Sequence, residues 1–337
     1  MKSLYTYLLT EARGLLRKQY DSTQLIEFIT DLVVSNFDNF TSSLVSPIVT
    51  DDILKQVYPE WISKLLIYVR NAGDNTIAAF EQKSAKLVEG KLDFRIHINA
   101  LCIRKYASNN YQSKTSGLVM RRMIEQTLQH ELKHAFDEWV RLSKNIQHSY
   151  EKYFEDKESL SYLNFPTHWN HHLQTSHYLL SKYEMTANQQ GLLYFYKHNA
   201  LGQLYIKVLK SKWPTVDKFI KVIIDMNHSQ YYGFNKMIAV EMKSILKDEV
   251  TIEELIPIIR NPYIDNLWFS HYMISMIDVA SDDTCSHVMS KIEHIDFHGI
   301  KILKTGSARE RLTKLFKDIE DITIKYLQKR ILNRLYK

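Results

Sequence analysis

Hydrophobic and polar residues alternate strictly from residue 92 to residue 99, which is the period of a half-buried β-strand. The apolar face of this segment consists of Leu92, Phe94, Ile96 and Ile98. Three shorter β-type runs precede it, at residues 65–70, 76–81 and 84–88. A turn-forming stretch at residues 71–75 separates the first two runs. The pattern therefore predicts a small sheet between residues 65 and 100.

Most of the remaining chain follows the helical period. A predicted helix at residues 117–142 carries apolar residues on more than one side, which indicates burial in the middle of a domain. Residues 145–177 are less regular and rich in His, Tyr and Asn, and a second helix is predicted at residues 179–198. From residue 200 onward the pattern is helical nearly throughout.

Composition agrees with a mostly helical protein. The 337 residues include only nine Gly and six Pro, which argues against long loops and against a β-sandwich. We predict an α+β fold that is predominantly helical, with the small sheet packed on the helix at 117–142. Three regions are expected: an N-terminal helical region at 1–60, a central domain at 61–200 and a C-terminal helical domain at 201–337.

The charge distribution narrows the classes of partner. A net charge of +6 is mild for this length and does not indicate a nucleic-acid-binding protein. Residues 301–337 nevertheless hold eleven Lys or Arg against four acidic residues, so a basic helix face that contacts nucleic acid stays open as an alternative.

The cysteine content and the hydropathy of the chain indicate where in the cell the protein is located. Cys102 and Cys285 are the only cysteines, too few for a disulfide framework. The N-terminus has no signal-peptide pattern, and no window reaches the ~18 apolar residues of a membrane span. We expect a cytoplasmic location, and a virion-associated one stays open.

The candidate chemistry lies within the predicted helix at 117–142, as a His-Glu-x-x-His pentapeptide. Residues four apart share one face of a helix, so His130 and His134 can direct two imidazoles at one metal ion. Glu131 lies about 100° further round the helix, where it can act as general base on a water molecule. With flanking residues such as Thr127 and Phe136, the segment resembles the zincin metallopeptidases. That resemblance implies Zn²⁺ as cofactor and a zincin-like core at the centre of the fold.

A catalytic zinc ion takes three protein ligands, and the third ligand distinguishes the zincin groups. The extended pattern with Gly and a third His is excluded, because Asp137 and Val140 occupy those positions. In the gluzincins a Glu on a later helix is the ligand, and the segment from Glu184 to Asn188 resembles that helix, with Asn188 in the place of an acid that orients a ligand His. Rival third ligands are His168, His171, His172 and His177.

The gluzincin resemblance covers about residues 90–200 and extends to predicted peptidases of bacteriophage genomes. It implies a zinc peptidase in which Glu131 is the base and Tyr178, or a nearby His, donates to the oxyanion. It also implies that the strand with Phe94, Ile96 and Ile98 is an edge strand that pairs with an extended peptide substrate. The alternative function is a zincin-fold structural or binding protein of a viral particle, with assembly contacts through the C-terminal helical domain.

Overall fold

The computed structural model describes residues 22–35, 46–47, 55–70, 77–107, 114–144, 167–226, 228–247, 250–297 and 300–337. The described part is predominantly helical with one small mixed sheet, which confirms the predicted α+β class. The chain divides into two compact units, Met1–Gln147 and His148–Lys337. The three regions expected from the sequence stay predictions.

The described part of the first unit contains the sheet, three α-helices and two short 3-10 helices, Lys55–Val57 and Gln82–Ser84. The strands are β1 (Ser46–Pro47), β2 (Ile62–Arg70), β3 (Ala78–Phe80), β4 (Lys86–Val88) and β5 (Lys91–Asn99). The helices are α1 (Thr23–Ser35), α2 (Ala100–Ala107) and α3 (Lys114–Ser143). Strand β5 and helix α3 confirm the two strongest periodic predictions, and the predicted turn at 71–75 lies outside the described residues.

The order of the strands is β1-β2-β5-β3, and β4 also pairs with β5. Strands β2 and β5 are parallel, whereas the other pairs are antiparallel. Ile96 is paired with Ile67 of β2 on one side and with Phe80 of β3 on the other. Strand β5 is therefore an interior strand.

This topology corrects one prediction. The backbone of β5 is paired on both sides at Ile96 and Ile98, and Phe94 is paired with β2. These three side chains are buried in the core, at 2% exposure or less. An added peptide therefore has no edge of β5 to pair with at Ile96 and Ile98. Within the described residues, β1 and β3 lie at the two ends of the strand order.

Aromatic packing holds the sheet against α3. Trp61 is 1% exposed, stacks on Phe94 at 5.8 Å between ring centroids and meets Phe136 of α3 edge-on at 5.4 Å. The indole N–H of Trp139 donates to the carbonyl oxygen of Gly90 at 2.9 Å. Because both contacts come from the half of α3 that follows the His-Glu-x-x-His segment, the sheet fixes that half of the helix.

The regular secondary structure of the second unit, within its described residues, is helical, apart from one isolated bridge between Phe297 and Ile300. Its first helices are α4 (Thr167–Leu180), α5 (Lys182–His198), α6 (Ala200–Lys212), α7 (Val216–Asp225) and α8 (His228–Leu246). They are followed by α9 (Ile252–Ile259), α10 (Pro262–Val279), α11 (Asp282–Ile292), α12 (Ala308–Tyr326), a π-helical turn (Leu327–Leu332) and α13 (Asn333–Leu335). None of the described helices is long and apolar enough to cross a bilayer.

The second predicted helix is wrong at its start. In place of one helix at 179–198, α4 begins at Thr167 and ends at Leu180, and Ser181 separates it from α5. Trp169, Leu173 and Leu180 of α4 are buried in a core cluster with α10, α11 and α12. These three positions lie on one face of the helix, but the histidines between them conceal the pattern.

Candidate metal centre

Helix α3 brings the two predicted histidine ligands together. The Nε2 atoms of His130 and His134 are 2.9 Å apart, and the ring centroids are 4.6 Å apart with the planes at 85°. Two nitrogens at about 2.05 Å from one tetrahedral ion would be roughly 3.3 Å apart. The two imidazoles therefore converge on a common point and need to open by only a few tenths of an ångström to hold an ion.

The burial of the neighbouring residues explains why this face of α3 is well fixed. Leu128, Leu132 and Ala135 are at most 1% exposed and face the core of the first unit. His134 is 4% exposed, whereas the His130 side chain retains 12% of its accessible surface. The pair is thus held on a helix that cannot rotate without exposing its apolar side.

Lys133, a charged residue inside the motif, is neutralised on its own helix. Its ammonium group forms an ion pair with Asp137 one turn further on. It also lies 5.8 Å from the centroid of the Phe136 ring. The charge is therefore balanced by a carboxylate at i+4 and does not have to be balanced at the histidines.

Glu131 is anchored to the sheet as well as to α3. Its Oε2 atom accepts a hydrogen bond of 2.7 Å from the backbone N–H of Phe80, and its Oε1 atom lies 3.9 Å from His130 Nε2. Ile77 and Glu81 are bonded to β5, so Phe80, between them, directs its N–H to the outer edge of β3. One carboxylate oxygen is thus fixed, and the other is directed towards the histidine pair.

The contact between Phe80 and Glu131 leads to a first prediction. Phe80→Pro removes the N–H donor at an edge position that tolerates proline, and we expect it to destabilise the protein by about 1.5–3 kcal/mol, the range for a hydrogen bond to a charged group. Phe80→Leu keeps the N–H and is the matched control for loss of the ring. Denaturant unfolding measures the free energy that Phe80→Pro costs in the wild type and in Glu131→Ala. If Phe80→Pro lowered the unfolding free energy equally in both proteins, the hydrogen bond would contribute nothing.

Glu184 lies in the first turn of α5, three residues after the helix cap. Ser181 Oγ accepts the backbone N–H of Glu184 at 3.1 Å. In the same sequence pattern, Thr251 with Glu254 and Ser307 with Glu310 form reciprocal capping boxes. In α5 the N–H of Ser181 instead donates to carbonyl oxygens at the end of α4, those of His177 and Tyr178. The Glu184 carboxylate therefore does not serve as the second half of a capping box.

Burial and the helix dipole both affect this carboxylate. Glu184 is only 7% exposed. It lies in the first turn of α5, where a negative charge interacts favourably with the partial positive charge of the helix N-terminus. An ionised, buried carboxylate is the form that binds a divalent cation.

One group of three side chains is suited to holding a metal ion. His130 and His134, in the first unit, and Glu184, in the second unit, can each offer one ligand atom. Two imidazoles and a carboxylate are also a donor set that catalytic zinc uses.

The other candidate residues that the sequence predicts for the site lie in α4 and α5. The four rival histidines all lie in α4, and His177 is buried with its ring edge-on to Phe297 at 5.8 Å. Tyr178 is half-buried and its carbonyl oxygen accepts the Ser181 hydroxyl. Asn188 lies one turn after Glu184, and its amide nitrogen has no hydrogen-bond partner among the described residues. The roles of Tyr178 and Asn188 stay predictions.

Two groups that position the candidate site were not predicted from the sequence. The Phe80 N–H is a backbone group in a strand of three residues, and no side-chain pattern marks it. Ser181 did carry a signal, since a Ser three residues before a Glu is typical of a helix start.

Comparisons with protein-family models, with curated proteins and with solved structures find no match for this chain.

Proposed function

We propose that this protein is a metal-dependent hydrolase, and specifically a zinc peptidase of gluzincin type with a zincin-like core. The observation that carries the proposal is the convergence of His130 and His134 on a common point, next to Glu131 in the same helix. His130, His134 and Glu184 would hold the ion. When bound, Zn²⁺ would polarise a carbonyl group and lower the pKa of a water molecule towards about 7.

Glu131 is suited to the transfer of protons in this reaction. Because Phe80 holds Oε2, Oε1 is the oxygen that takes a proton from the attacking water and later gives it to the leaving amine. A base fixed in this way loses less entropy on the way to the transition state. Tyr178 is the proposed donor to the developing oxyanion.

The outer edge of β3 is the proposed place for an extended substrate. It is the sheet edge within the described residues that contacts Glu131. A peptide could pair with the outward backbone groups of Ala78 and with the carbonyl oxygen of Phe80, while the N–H of Phe80 stays bonded to Glu131. Main-chain pairing would supply affinity with little sequence selection. This places the substrate one strand away from the position that the sequence predicted.

Hydrolysis of an unfolded protein tests the proposal. We expect the purified protein to cleave reduced, carboxymethylated casein, with new termini detected by mass spectrometry. A zinc chelator such as 1,10-phenanthroline should abolish cleavage, and added Zn²⁺ should restore it. Cleavage that persists after complete removal of metal would contradict a metal-dependent mechanism.

A second candidate function is an assembly role in a particle. It is favoured by exposed apolar side chains on α8, where Val240 is 45% and Ile245 is 49% exposed. Bound metal without hydrolysis, together with co-purification with a particle, would favour this function. The location, cytoplasmic or on a virion, stays a prediction.

A further inference from the structure

Two tyrosine hydroxyls meet one backbone carbonyl next to Glu184. The hydroxyl of Tyr263, in α10, donates to the Met185 carbonyl oxygen at 3.0 Å. The hydroxyl of Tyr326, the last residue of α12, lies 2.6 Å from the same oxygen and 2.9 Å from Gln189 Oε1. The two rings pack at 5.1 Å between centroids, so two helices, α10 and α12, converge on the first turn of α5.

The two tyrosine hydroxyls add hydrogen bonds to a carbonyl oxygen, that of Met185, which already has a partner within its own helix. A carbonyl at this position in a helix accepts the N–H four residues on, here that of Gln189, and is already satisfied. Additional donors are therefore not required to compensate for burial. Their effect is to fix the position of the first turn of α5 against α10 and α12.

The two phenols keep their protons throughout the ordinary pH range. Burial raises the pKa of Tyr263 well above its usual value, and Tyr263 is 0% exposed. Burial likewise raises the pKa of Tyr326. Both hydroxyls thus remain available as neutral donors.

We propose that Tyr263 and Tyr326 are positioning residues for the metal ligand Glu184, an inference that rests on the proposed function. The backbone N–H of Glu184 is held by Ser181 Oγ at 3.1 Å, and the carbonyl of the next residue is held by the two hydroxyls. The Met185 side chain also packs against the core cluster of the second unit. With the backbone fixed on both sides, only the side-chain torsions of Glu184 remain to be ordered when an ion binds.

The expected consequence is a loss of metal affinity when either hydroxyl is removed. Groups that orient a metal ligand from outside typically contribute a factor of about 10–100 to affinity, so we expect Tyr326→Phe and Tyr263→Phe each to raise the dissociation constant for Zn²⁺ about 10-fold. Tyr205→Phe is the matched control. Tyr205 is buried in the same unit and stacks on Tyr196 at 5.4 Å.

Competition with a chromogenic zinc chelator measures these constants on the full chain, and a double-mutant cycle separates positioning from general stability. In a Glu184→Ala background, Tyr326→Phe should leave the dissociation constant unchanged, because the ligand that it positions is gone. If Tyr326→Phe weakened zinc binding equally with and without Glu184, this inference alone would be overturned. The same holds if Tyr326→Phe and Tyr263→Phe, each made in the wild-type protein, left the dissociation constant for Zn²⁺ unchanged. A wild-type protein that binds no zinc would overturn the proposed function and this inference with it.

Discussion

Glu131→Gln is expected to lower the rate of peptide hydrolysis by about 10²–10⁴-fold, the usual contribution of a general acid–base group. Gln has nearly the shape of Glu, and its amide oxygen can still accept the N–H of Phe80. It cannot take up a proton at the pH of the assay. The variant should therefore keep its fold and its metal while losing catalysis, which initial rates and elemental analysis measure side by side.

The control for this prediction lies on the same helix. Glu138 is 3% exposed, receives hydrogen bonds from Gln82 and Arg141, and lies two turns beyond Glu131. Glu138→Gln weakens the partly buried ion pair with Arg141 without touching the histidines, so it should lower the unfolding free energy and leave the rate of the folded enzyme nearly unchanged. A Glu131→Gln enzyme as fast as the wild type would contradict the role of Glu131.

His134→Ala is expected to weaken metal binding by more than about 100-fold, since it removes a ligand and not merely a group that orients one. Alanine is the strongest helix former, and α3 is held on both sides of this position by buried residues. The helix should therefore persist while the metal site is lost. Chelator competition measures the affinity, and unfolding of the metal-free proteins measures any change in the fold itself.

His198→Ala serves as the matched control for removal of a histidine. His198 is the last residue of α5, is exposed, and stacks on Tyr194 at 4.8 Å. Its loss should leave the metal dissociation constant unchanged. If His134→Ala bound the metal as tightly as the wild type, the histidine pair would not be the site.

Strand β5 and helix α3, which have the strongest periodicity, could be predicted from the sequence. The strands that pair with β5 could not. Alternation at residues 92–99 determined that one face of β5 is buried. It could not show that both edges of β5 are paired, because alternation reports the faces of a strand and not its hydrogen-bonding edges. Strand β3 has only three residues, which is too short to show a period. The sequence therefore indicates β5, and not β3, as the edge strand.

The boundary between α4 and α5 illustrates a second limit. The segment from Thr167 to Leu180 looks polar because histidines and Asn surround its few buried residues, and a helix with a narrow apolar stripe is difficult to recognise. The motif on α3 was recognisable because both ligands lie in a five-residue pattern. For Glu184 the sequence offers its resemblance to a family pattern and the local cap from Ser181. The contacts of Tyr263 and Tyr326 with the neighbouring Met185 carbonyl depend on tertiary packing.

Metal content is the measurement that tests the central claim most directly. The protein should be purified without chelators, equilibrated with Zn²⁺, passed through a desalting column and submitted to elemental analysis alongside His134→Ala. We predict about one zinc ion per wild-type chain, as expected for one catalytic site, and almost none in the variant. A wild-type chain that retains no zinc, or a variant that retains as much as the wild type, would contradict the assignment of His130, His134 and Glu184 as metal ligands.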